Sequence, residues 1–125
     1  MRCPFGPLVC AVVVAWIGPS PAPAAEPVPY EVVATPDVML TMRDGVKLAI
    51  DVYRPAHGST PAVGTFPALL MRTPYEKGAR AKAFAGYFAQ HGYVVVVQDV
   101  RGRYQSQGMW RPMYDDGHDG FDTAK

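Results

Sequence analysis

The run Tyr93 to Gln98, YVVVVQ, limits the possible folds of this chain more than any other segment. Four successive β-branched valines disfavour a helix, and without a polar residue at every second place both faces of the strand must be covered. That combination marks an interior strand of a parallel sheet. Just ahead of it, Ala79 to His91 has helical spacing, with Ala81, Phe84, Ala85 and Phe88 on one face and Gly92 as the stop. Gly86 within the helix costs about 1 kcal/mol against alanine, which suits a face packed closely on a sheet. Phe66 to Arg72 (FPALLMR) is a short, nearly continuous apolar strand. Strand, helix, strand in that order is a crossover unit, expected to be right-handed with its strands parallel.

Upstream the pattern changes. Val38 to Met42 and Val46 to Arg54 read as two strands joined by Arg43-Asp44-Gly45, and the Asp-Gly pair supplies the positive φ that a hairpin turn requires. In the second strand Val46, Leu48, Ile50 and Val52 share one face and Lys47, Asp51 and Tyr53 the other, the mark of an antiparallel strand buried on one side. Pro55 to Pro67 reads as an irregular loop, and Val100 to Gly120 as a long ordered one, with Asp119 to Lys125 beginning a helix. An antiparallel hairpin thus leads into a parallel sheet with a crossover helix, an α/β architecture.

The amino-terminal end has a different character. Leu8 to Ile17 is apolar throughout, Arg2 is the only charge before Glu26, and Ala22-Pro23-Ala24 is a small-x-small cleavage pattern. A bilayer span needs roughly 20 apolar residues, so this run suits the core of a secretory signal instead. The division expected is a signal peptide over 1–25, cut after Ala24 or Ala25, an extended leader over 26–36, and a folded domain over 37–125. Secretion or periplasmic location follows. Both cysteines, Cys3 and Cys10, fall in the signal, so the mature part holds no disulfide. Lipidation at Cys10 is disfavoured because Val9 is not small. Without Arg2 the chain has eleven basic and eleven acidic residues, which recommends neither nucleic acid nor an anionic membrane surface as a partner.

In a parallel sheet, ligands collect beyond the carboxyl ends of the strands. Two segments leave the sheet there, Arg72-Thr73-Pro74-Tyr75 and Gln98-Asp99-Val100-Arg101-Gly102. The blocks MRDGVKLAIDVYRP (42–55), FPALLMRTPYEK (66–77), HGYVVVVQDVRGRYQSQG (91–108) and DGFDT (119–123) closely resemble the opening of the cocaine-esterase-like (CocE/NonD) hydrolases. That family also holds X-prolyl dipeptidyl peptidases, α-amino acid ester hydrolases and glutaryl acylases. The resemblance implies a Ser-His-Asp hydrolase on an α/β-hydrolase core, with a helical cap and a carboxyl-terminal jelly roll. It also implies that Tyr75 contributes its hydroxyl to the oxyanion hole, where a preorganised donor stabilises the transition state more than the ground state.

Asp99 and Arg101 are expected to brace the site as a buried pair, although either could touch substrate. Tyr104, Gln105 and Trp110 are candidates for lining the acyl pocket, or for packing within their own loop. No serine has the Gly-x-Ser-x-Gly setting of a nucleophile elbow. Ser20 lies in the signal tract, Ser59 in the proline-rich loop, and Ser106 has Tyr104 rather than glycine two places before it. His57, His91 and His118 offer no catalytic setting. The acids around His118 lack the spacing of a calcium loop, so no metal is expected, and no other cofactor is implied.

The resulting expectation is the amino-terminal portion of an exported serine hydrolase, cut before its nucleophile and inactive alone. Its substrates would be small-molecule esters or amides with small acyl or aminoacyl groups. X-Pro dipeptide release is the other chemistry the resemblance permits. An exported, non-catalytic binding or structural module that keeps the fold is the rival from another class.

Overall fold

The structure, a computed structural model, describes residues 29–125. The expected signal peptide and the first residues of the leader lie outside the described residues. Strand β1 (Glu31–Thr41) and strand β2 (Lys47–His57) form an antiparallel hairpin, and the short β3 (Thr60–Pro61) pairs with the end of β2. Strand β4 (Ala68–Thr73), helix α1 (Ala79–Gln90) and strand β5 (Val94–Asp99) follow, and helix α2 (Asp116–Ala124) comes last. No helix of the described residues is long and apolar enough to cross a membrane.

The sheet order is β1-β2-β5-β4. β5 is the interior strand that its valines call for: it pairs antiparallel with β2 and parallel with β4. The open edge on that side belongs to β4, so the four-valine strand has neither edge uncovered among the described residues. α1 lies on one face of the sheet. Its buried residues are Ala81, Ala85 and Ala89, spaced so that three methyl groups face Val95 and Val97. Phe88 packs against this cluster, but Phe84 is 40% exposed and leans on Phe88 with ring centroids 4.8 Å apart. The helix rests on the valines through its smallest side chains. Gly86 lies outside this contact, and a methyl group there would meet open space.

Three further expectations change. The stretch read as a leader is largely strand, since Glu31 to Thr35 pair with Ala56 to Val52. Pro36 sits where the ladder shifts register, between Thr35 and Val38, so its missing N–H removes no rung. β2 is buried on both faces: Leu48 and Ile50 on one side, Ala49, Asp51 and Tyr53 on the other. Its mixed face looked solvated, but Tyr53 packs with Val95 and Val97 in the α1 cluster. Finally, α2 begins at Asp116, three residues earlier than its glycines suggested.

α2 docks on the opposite face through polar groups. Arg72 Nε donates to Gln98 Oε1 at 2.7 Å, Gln98 Nε2 to Thr123 Oγ1 at 2.9 Å, and Arg72 NH1 to the Asp116 carbonyl at 2.7 Å. The hairpin turn, with Gly45 at φ 84, is tied to the same helix. The Arg43 guanidinium and backbone N–H both donate to the Asp122 carboxylate, at 2.6–2.9 Å. These hydrogen bonds hold the Asp122 carboxyl well below the usual carboxylate range, at about 2. A depressed carboxyl pKa supports the fold above the ordinary value and ceases to do so as pH falls through the depressed one. A carboxyl ¹³C titration is therefore expected to place the Asp122 midpoint near 2, and an Arg43→Ala variant to return it towards the ordinary value.

Candidate active site

The carboxyl ends of β4 and β5 lie side by side, with Thr73 opposite Asp99 in the parallel register. This rim is where the two chain segments leave the sheet. Thr73 stays buried and organises the first of them: its Oγ1 accepts the Tyr75 N–H at 3.0 Å, and its carbonyl accepts the Val100 N–H at 3.1 Å. The Pro74 carbonyl accepts from Arg103 Nε at 3.1 Å. Pro74 fixes its own φ and presses Thr73 towards an extended conformation. The backbone on either side of Pro74 is thus anchored, while the Tyr75 ring beyond it is 84% exposed.

Tyr75 borders an open cavity of about 340 Å³, with Arg72, Pro74, Val100, Trp110 and Met113 among its other walls. The structure brings Trp110 together with Tyr75 and separates Tyr104 and Gln105 from both. Those two line a different depression of about 260 Å³, on the side where Asp51, Lys77 and Asp99 converge. Arg103 divides them, its guanidinium stacked 4.6 Å from the Trp110 ring and 5.1 Å from the Tyr104 ring. Tyr104 has φ 46 and Gly102 φ 69, and this turn sends successive aromatic side chains to opposite sides. A Cβ on Gly102 would run into the backbone of Met109 and Trp110, so the close approach that shapes the cavity wall requires glycine.

Asp99 and Arg101 do not pair with each other. Asp99 ends β5 on the α1 face, where Lys77 Nζ lies 3.7 Å from its Oδ2 and the Gln105 N–H reaches the same oxygen at 3.4 Å. Its Oδ1 has no hydrogen-bond partner, and burial pushes this carboxyl upward against the pull of Lys77. Arg101 lies past the strand end, on the α2 side. There it holds the buried Asp119 through NH2 to Oδ1 at 2.6 Å and Nε to Oδ2 at 3.0 Å, and Asp44 through NH1 at 2.7 Å. Strand alternation ends at residue 99, which is why a spacing of two no longer places these side chains on one face.

Lys77 and Asp51 were not anticipated. Lys77 Nζ is 2.8 Å from Asp37 Oδ1 and 3.0 Å from Asp51 Oδ1, and its side chain is only 5% exposed. Burial opposes its charge, but the hydrogen bonds to Asp37 and Asp51 together with nearby carboxylates leave its pKa above the ordinary lysine value. The available signal was Asp51 itself, a lone acid amid Ile50, Val52 and Tyr53, which needs a cation if both faces of its strand are covered.

The acids near His118 are each taken by an arginine: Asp115 by Arg111, Asp116 by Arg72, Asp119 by Arg101 and Asp122 by Arg43. No group of three or more His, Cys, Asp or Glu suited to a metal ion occurs among the described residues. Ser106 is occupied too. Its hydroxyl donates to the Asp99 carbonyl at 2.6 Å and accepts the Ala49 N–H at 2.9 Å, stitching β5 to β2.

Comparison with known proteins bears on this geometry. The family model described as X-Pro dipeptidyl-peptidase (S15 family) matches residues 44–125. Cocaine esterase of Rhodococcus sp. (strain MB1 Bresler) is 44% identical over 92 residues, covering 70% of this chain and 15% of the relative. A solved α-amino acid ester hydrolase is 30% identical with a TM-score of 0.58, covering 88% of this chain and 21% of that one. An aminopeptidase from the marine sediment archaeon Thaumarchaeota archaeon is 26% identical with a TM-score of 0.60, covering 89% of this chain and 22% of that one. The chain spans about a fifth or less of the length of these proteins.

Proposed function

The chain belongs to the X-Pro dipeptidyl-peptidase (S15) family and has the α/β-hydrolase arrangement of its neighbours, and on that premise we propose that the whole protein is a serine hydrolase of small acyl or aminoacyl esters and amides. The observation that carries the reading is Tyr75: an exposed phenol on an anchored loop, at the carboxyl rim of a parallel strand pair and beside an open cavity.

In the proposed reaction a serine hydroxyl, supplied by chain other than these 125 residues, attacks the substrate carbonyl carbon and passes its proton to a histidine. Negative charge then develops on the carbonyl oxygen. The Tyr75 O–H donates to that oxygen, and the loop fixed by Thr73 and Arg103 spares the phenol much of the reorganisation at that moment. Collapse expels an alcohol or amine, which takes the proton from histidine, and leaves an acyl-enzyme. Water then attacks the ester, the same tyrosine serves the second oxyanion, and acid and free serine result. Trp110 lines the same cavity, which supports reading it as a wall of the acyl pocket.

Ester chemistry is favoured over X-Pro peptide release by the 44% identity to a cocaine esterase. The leading 25 residues direct export in this reading, leaving a secreted or periplasmic enzyme, and an exported module without catalysis is the reading it displaces.

In the full-length protein Tyr75→Phe is expected to lower kcat by about 100- to 1,000-fold with KM little changed; an unaltered kcat would remove tyrosine from the mechanism. Higher kcat/KM on a simple aryl ester than on an X-Pro anilide is expected, and the reverse order would make the protein a dipeptidyl peptidase. The mass of the exported protein should correspond to a first residue of Ala25 or Glu26.

A further inference from the structure

Lys77 stands two residues after Tyr75 and immediately before Gly78, the residue that opens α1. Its buried ammonium meets acids from three different strands: Asp37 at the β1 register shift, Asp51 within β2 and Asp99 at the end of β5. The Asp37 N–H also donates to Asp51 Oδ1 at 3.0 Å, so the acids are tied to one another as well as to the lysine. Three carboxylates share one ammonium, and one of them, Asp99, still has an oxygen without a hydrogen-bond partner. A cation in such a setting has few alternative positions, because leaving would strand two buried acids, Asp51 and Asp99.

Between Lys77 and Tyr75 lies Glu76 at φ 83, left-handed backbone that a residue with a side chain keeps only when its surroundings impose it. The Glu76 carboxylate makes no hydrogen bond or ion pair among the described residues, so its own side chain does not hold this conformation. The tether is the next residue. Tyr75 is thereby suspended between two fixed ends, Thr73 and Arg103 on the incoming side and Lys77 on the outgoing side.

We infer that Lys77 is a positioning residue for Tyr75: its contacts with the buried Asp51 and Asp99 and with the more exposed Asp37 fix the outgoing end of the loop and hold the phenol at one place on the rim. The inference rests on the reading of Tyr75 as the oxyanion donor. Lys77 touches no reacting atom. It acts by denying the tyrosine other positions, and a misplacement of about 1 Å at a catalytic group can cost roughly 100-fold in rate.

The test is a double-mutant cycle in the full-length protein, with kcat and KM measured on an aryl ester and folding followed by a thermal melt. Lys77→Met is expected to lower kcat by about 10- to 100-fold with KM nearly constant when Tyr75 is present. In the Tyr75→Phe background it should lower kcat no further. Equal losses in both backgrounds, or no loss with Tyr75 present, would overturn the inference. Should Lys77→Met fail to fold, Asp37→Asn removes only the exposed member of the acid set. It is expected to lower kcat by about threefold with tyrosine present and not with phenylalanine, and the inference falls if the two backgrounds respond alike or neither responds. If Tyr75→Phe alone leaves kcat intact, the fault lies in the parent reading of Tyr75, separately from Lys77.

Discussion

The backbone ladder that places β5 between β2 and β4 governs everything else in the structure. Because it is antiparallel on one side and parallel on the other, it joins a hairpin to a crossover unit within one sheet. It also sorts side chains by parity. Val95, Val97 and Asp99 point towards α1, while Val96 and Gln98 point away from it. A slip of one residue would carry the valines off the alanine face of α1, and would move Asp99 from Lys77 to the side of Arg72 and Arg101.

That sorting separates two kinds of electrostatic environment at the same rim. On the α1 side, one ammonium serves three carboxylates beneath the loop that carries Tyr75. On the α2 side, guanidinium groups outnumber no one and are nearly all engaged: Arg43, Arg72 and Arg101 meet Asp122, Asp116, Asp119 and Asp44, and this polar network docks a helix with little apolar surface to offer. Each side holds both buried and exposed pairs: Lys77–Asp51 and Arg101–Asp119 are closed off from solvent, whereas Lys77–Asp37 and Arg101–Asp44 each have one exposed member. Breaking a buried pair by removing one member costs about 3 to 5 kcal/mol, because the other charge is left desolvated. An exposed pair costs about 1 kcal/mol or less. Rigidity at the rim therefore rests on two buried pairs, Lys77–Asp51 beneath Tyr75 on the α1 side and Arg101–Asp119 on the α2 side.

Local signals were enough for the order of the main elements, though not for the first half of β1, the end of β2 or the short β3. The valine run, the Asp-Gly turn and the glycine after α1 each have a local physical cause, and each stands where its pattern indicated. What patterns could not convey was which surfaces meet. The two faces of β2 differ in polarity, so one looked solvated, yet a buried lysine from 26 residues further on neutralises Asp51 there. The spacing of Asp99 and Arg101 suggested a pair, but the strand ends between them and each finds a partner distant in sequence. Tyr104, Gln105 and Trp110 share a loop without sharing a cavity, because left-handed turns at residues 102 and 104 divide them. Tyr75 came from resemblance to a family. Its exposure and its anchored backbone are what the geometry adds.

The two edges of the sheet are built unlike one another. β1 carries Pro36, a register shift and the left-handed Asp37, all devices that discourage another strand from pairing there. β4 has no such feature: it is short and regular from Ala68 to Thr73, apolar as far as Met71, and its Leu70 is 41% exposed. An apolar strand without protection is suited to being paired, so the sheet can grow on the β4 side and is blocked on the β1 side. A parallel strand added to β4 would end at the same rim, next to the strand from which Tyr75 hangs. In the proposed enzyme that is the position from which a serine could face the tyrosine across an acyl carbonyl, and the asymmetry of the two edges is what would put it there.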